Sequence, residues 1–146
     1  MADKAKYLQD FQNMKKTHEQ QVLQLEFLLQ NNRSHEEIEK EDAFCNFNVW
    51  ALDNPMLEKL LGVQIYQKLI TTHAQWHTYY KKILQILFEE NRTGLLRKLF
   101  SSKPSPQAID KAKAYFDDLQ QATKELDHAI AVCERRLNAL NESKFS

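Results

Sequence analysis

Toward the C-terminus, Ile109, Ala112, Phe116, Leu119, Thr123, Leu126, Ile130, Cys133, Leu137 and Leu140 recur at alternating steps of three and four. That spacing draws one apolar line along an α-helix, and Ser105-Pro106 opens it as N-cap and first helical residue. A first helix is predicted from about Asp3 to Asn31, on the stripe Tyr7, Phe11, Met14, His18, Val22, Leu25, Leu29, and Asn31-Asn32-Arg33 ends it. Ser34-His35-Glu36-Glu37 reads as a capping box that starts a second helix, running to about Leu52. One line of that helix is Ile38, Asp42, Cys45, Val49 and Leu52; Phe44, Phe47 and Ala51 form a neighbouring apolar line, with Trp50 close by. Asp53-Asn54-Pro55 breaks it, because a proline disfavours helix at the residue before it.

The pattern then resumes with Met56, Leu60, Val63, Ile70, Tyr80, Leu84 and Leu87. Stepping by three and four from Ile70 lands on His73, His77 and Tyr80, so two imidazoles occupy core positions. A buried polar group without a partner is costly, so something inside the fold must satisfy them. A second complete stripe, Ile65, Leu69, Thr72, Trp76, Tyr79, Ile83 and Ile86, lies on the same helix. One apolar face suffices for a bundle core, so the surplus predicts a subunit interface. Phe47, Trp50, Trp76 and Tyr79 are its candidates, and a charged residue at Trp76 is expected to weaken dimerisation. The pattern fades at Asn91-Arg92-Thr93-Gly94; Leu95 to Phe100 reads as a short helix and Ser101-Ser102-Lys103-Pro104 as a linker.

Helix geometry fixes where the third long helix begins. Started at Pro55, it would carry His73 about 27 Å along its axis, at 1.5 Å per residue, whereas Cys45 lies only about 12 Å before the same turn. The two would not meet. Pro55 to Leu61 is therefore expected to be a separate helical turn, with the long helix starting near Gly62 or Val63. His18, Cys45, His73 and His77 then share one level.

Composition agrees with an all-α reading. Two glycines and three prolines in 146 residues leave little turn material for a β fold, and the length suits one domain, residues 1–146. Twenty basic residues balance twenty acidic ones, so no basic nucleic-acid footprint is expected. No apolar run approaches the ~20 residues of a membrane span. The charged N-terminus leads straight into an amphipathic pattern, so no signal peptide is read, and two cysteines make no disulfide framework. The expectation is a soluble, cytoplasmic, antiparallel four-helix bundle.

Within such a bundle, three imidazoles and one thiol face inward with no carboxylate at their level, which matches a tetrahedral zinc site. Four protein ligands leave no open position for substrate. Taken singly, an inward His is often a hydrogen-bonded core residue and an inward Cys a small hydrophobe. His35 and His128 read as surface residues and Cys133 as packing.

A His on the first long helix, then Cys-x-Phe-x-x-Trp (Cys45, Phe47, Trp50), then His-x-x-x-His (His73, His77), resembles the chemoreceptor zinc-binding (CZB) domain of bacterial chemoreceptors and diguanylate cyclases. The resemblance spans roughly Asp3 to Asn141. It implies one zinc ion per chain held by His18, Cys45, His73 and His77 in a four-helix bundle, usually a homodimer. This chain would be a free-standing member acting on a chemoreceptor or diguanylate cyclase in signal transduction or chemotaxis. The family motif usually carries glycine where this chain has Asn48.

The leading expectation is a zinc-responsive regulatory module whose helix packing changes with occupancy. A redox sensor, in which hypochlorous acid or peroxide oxidises the zinc-bound thiolate of Cys45, is the alternative; a metal-free helical scaffold is the third. An enzyme is not expected: the sequence offers no Ser-His-Asp order, Gly-rich phosphate loop or Glu-x-x-His pair.

Overall fold

The computed structural model describes residues 2–31, 45, 47–89 and 105–145. The protein is all-α. Its helices are α1 (Ala2–Asn31), α2 (Phe47–Leu52), α3 (Pro55–Leu61), α4 (Val63–Glu89) and α5 (Pro106–Ala139), followed by a 3-10 turn, Glu142–Phe145. Three are long, and α2 stands where the second helix of a four-helix bundle is expected; α3 and the 3-10 turn are the extra pieces. No helix among the described residues is long and apolar enough to cross a membrane.

Side-chain pairings set the helix directions. Arg136 Nε donates to the Leu60 carbonyl, Trp76 Nε1 to Thr123 Oγ1, and Lys82 Nζ sits over the Tyr115 ring, so α4 and α5 are antiparallel. Lys4 Nζ reaches the Asn138 and Leu140 carbonyls, and Gln12 Nε2 donates to Glu134 Oε2, so α1 is antiparallel to α5 too. Hence α1 and α4 run parallel, and the chain between them must return the length of α1, about 45 Å for thirty residues. The described part of that return runs back along α1 from His18 to Tyr7: Cys45 lies at the level of His18, Trp50 packs on Phe11 and Tyr7, and Asn54 Oδ1 accepts from the Tyr7 hydroxyl.

Both predicted breaks are present. Pro55 occupies the first turn of α3, and Gly62 separates α3 from α4 with φ 84°, in the left-handed region that favours glycine. Its amide donates to the Glu58 carbonyl and its own carbonyl accepts from Tyr66, so one residue both closes α3 and opens α4. Ser105 Oγ accepts from the Ala108 amide and caps α5, a contribution of about 1 kcal/mol.

The core holds the α1 and α5 stripes. Leu25, Leu119, Leu126, Ile130 and Leu137 are fully buried, each stabilising by about 1.5–3 kcal/mol. Three expectations need correction. Val63 is 61% exposed, because the turn at Gly62 resets the helical register and the α3 stripe does not run on into α4. Val49 and Leu52 are exposed, at 60% and 76%, while Phe47 and Ala51 face the core. Cys45 is not helical, so the line drawn through Cys45, Val49 and Leu52 is not continuous. The second stripe of α4 turns to α5 of the same chain: Leu69, Thr72, Trp76, Ile83 and Ile86 are all buried. The capping box at Ser34, with His35, Ile38, Asp42 and Phe44, lies outside the described residues, as do the helix expected at Leu95 to Phe100 and the linker after it.

Candidate metal centre

His18 comes from the middle of α1, His73 and His77 from successive turns of α4, and Cys45 from the non-helical residue just ahead of α2. Their ligand atoms all lie within 4.8 Å of one another. His77 Nε2 is 3.0 Å from His73 Nε2 and 3.2 Å from His18 Nε2. Cys45 Sγ is 3.2 Å from His73 Nε2 and 3.7 Å from His18 Nε2. In a tetrahedron with Zn–N near 2.05 Å and Zn–S near 2.3 Å, the edges are about 3.3 Å for N···N and about 3.5 Å for N···S. The two N···S distances straddle the N···S value, and the two N···N distances fall slightly short of the N···N value.

The ring of His18 is oriented for ligation. Its Nδ1 lies 2.7 Å from the Met14 carbonyl one turn back. Only an N–H can face a carbonyl oxygen, so in the neutral ring Nε2 carries the lone pair, aimed at the other three donors. This is the partnership metal-bound histidines commonly make with their second nitrogen. Aromatic rings wall the group in. Trp76 lies edge-on to His18 at 4.5 Å and to His77 at 4.8 Å between centroids, and Phe47 packs on His73 at 4.6 Å.

Burial works against ionising Cys45, yet its polar contacts with His18, His73, His77 and the Phe47 backbone outweigh it and bring the thiol from 9.0 down to about 4. Thiolate is the form that binds metal. Burial also pushes His73 below its ordinary value; the hydrogen bond to Cys45 opposes this, and charge on His77 adds to it. Neutral imidazole is likewise the ligating form. Both shifts give one sign. The unfolded chain holds more protons than the folded one, at Cys45 between pH 9.0 and about 4 and at His73 below its ordinary 6.5. Stability therefore falls as pH falls through those windows. Asp127 acts oppositely, since burial and then Glu19 push its carboxyl up. Bound metal should thus be released, and the denaturation midpoint lowered, on going from pH 7 to 5. Metal content and urea titrations at both values check this; a content indifferent to pH would count against the imidazole ligands.

All four residues singled out in the sequence are brought together. Among the four interface candidates, Phe47 and Trp76 are buried inside the chain at 6% and 0% exposure, which corrects their assignment to a surface between copies; Trp50 and Tyr79 are half-buried. His128 is exposed and Cys133 is buried, where burial, and then Glu134, push its thiol up to about 12. The side chain of Asn48 lies outside the described residues. Sequence reasoning missed Gln21, which is 9% exposed with its Oε1 buried and lacking a hydrogen-bond partner among the described residues. Its position three residues after His18, on the core side of α1, was the available signal.

Fold and site together define an all-α protein with a buried His3Cys group whose geometry can hold a metal ion. Comparison with protein families, curated proteins and solved structures returns no match.

Proposed function

We propose that the chain binds one zinc ion through His18, Cys45, His73 and His77 and works as a zinc-responsive regulatory module of the CZB type, not as an enzyme. The observation that carries this is the clustering of three imidazole nitrogens and one cysteine sulfur within 4.8 Å of one another. That donor set, without carboxylate, suits zinc over magnesium or calcium. With all four positions supplied by protein, no site is left for substrate. Occupancy ties Cys45, and with it the start of α2, to α1 and α4. Loss of metal frees that tie, and a second copy or a partner, such as a chemoreceptor or cyclase, reads the altered packing. The test is metal content by plasma mass spectrometry on protein purified without chelator or histidine tag, beside Cys45→Ala. About one zinc per chain, lost in the variant, is expected; no metal, and no uptake on adding zinc, would leave a metal-free helical scaffold.

A redox reading is favoured by one observation, the half-buried position of Cys45 with its thiol held near pKa about 4. In metal-free protein at pH 7, iodoacetamide should modify Cys45 and spare Cys133, whose thiol is buried and raised to about 12. Peptide mass spectrometry reads the ratio, and equal labelling would remove the basis for selective oxidation.

A further inference from the structure

The four donors are not equally shielded. His18 and His73 are each 1% exposed and His77 is 9% exposed, whereas Cys45 is only half-buried. An open cavity of about 360 Å³ reaches the group between α1 and α2. Its floor is His18 and Cys45; neither His73 nor His77 lines it. One wall is polar, formed by Asp10, Asn13 and Thr17 at steps of three and four along α1, and the facing wall is Phe47 and Trp50. On another side, Trp76 packs edge-on to His18 and His77 and stacks at 5.1 Å on Tyr80, both rings being buried.

Size and chemistry both fit passage of a hydrated cation. An ion with six waters needs about 180 Å³ at roughly 30 Å³ per water, well within this volume. The oxygen groups of Asp10, Asn13 and Thr17 are weak ligands for zinc, while the sulfur and nitrogen at the floor are strong ones, so an ion is passed inward and not held at the wall. Asp10 supplies the negative charge that attracts it. It stands eight residues, about 12 Å of helix, before His18.

We propose that this cavity is the port through which divalent metal ions reach the His3Cys group, and small chelators remove them, with Asp10 as the attracting charge on its wall. The proposal rests on metal binding at the group. It differs in what it controls: a port sets rates in both directions and leaves the equilibrium alone.

The experiment follows zinc chloride uptake by stopped flow, and zinc extraction by EDTA, in the full chain and three variants. Thr17→Trp and Asn13→Trp fill the port from exposed positions that hold no ligand; Asp10→Lys reverses its charge. Each Trp variant should slow uptake and extraction together by about tenfold, a barrier increase of about 1.4 kcal/mol, with equilibrium affinity unchanged. Asp10→Lys should slow uptake at low salt, and the effect should fade at high salt. A wild-type chain that takes up no zinc would overturn both the metal reading and the port. Zinc bound normally, with rates unchanged in the variants that fold, would overturn the port alone. Having two Trp positions keeps the test decisive if one variant does not fold.

Discussion

His77→Ala should lower zinc affinity by at least about a hundredfold, since loss of even an outer-shell partner of a ligand costs up to that much. His77 Nε2 stands 3.2 Å from His18 Nε2 and 3.0 Å from His73 Nε2, so its removal deletes one corner of the tetrahedron. Binding to the native state alone is folding free energy. At saturating zinc, a hundredfold weaker site forfeits about 2.7 kcal/mol of stabilisation. The loss should show in urea denaturation with zinc present and shrink when a chelator is added, because the metal-free variant mainly trades one buried imidazole for a small cavity. Competition titration gives the affinity directly. An unchanged value would remove His77 from the ligand set.

Trp76→Glu should prevent the chain from folding, not merely separate two copies of it. The indole is 0% exposed, stacks on Tyr80 with an interplanar angle of 12°, and donates to Thr123 Oγ1 at 2.8 Å. Truncating such a ring to alanine costs about 3–5 kcal/mol, against a total stability of about 5–15 kcal/mol for a domain. A carboxylate at the same place adds the cost of an unpaired buried charge. Far-UV circular dichroism and urea titration should show lost cooperative unfolding for Trp76→Glu and a strongly lowered midpoint for Trp76→Ala. A Trp76→Glu protein with native helicity, changed only in sedimentation, would put the ring between copies after all.

Much of this was legible in the chain. The α1 and α5 stripes repeat at helical spacing over many turns, and burial follows them closely. Asn54-Pro55 and Gly62 mark the breaks between α2, α3 and α4 by local backbone chemistry. The ligand set was legible for a related reason: His18, His73 and His77 sit within apolar lines, and helix rise set His73 level with a Cys45 read as helical. Less was legible around Cys45 itself. The residue lies outside any helix, so the periodicity carried through it placed Val49 and Leu52 inside when both are exposed.

The sequence by itself determined the long helices, their breaks and the four donors, because periodicity, capping and backbone restriction act between residues near in the chain. Only the tertiary structure decided what each apolar face meets. A stripe records that a face is buried, and it does so identically whether the neighbour is another helix of the same chain or a second copy. The second stripe of α4 is met by α5, which places Trp76 beside His18 and His77 as part of the wall around the donors. The cavity that leaves Cys45 within reach of solvent likewise follows from how α1 and α2 come together.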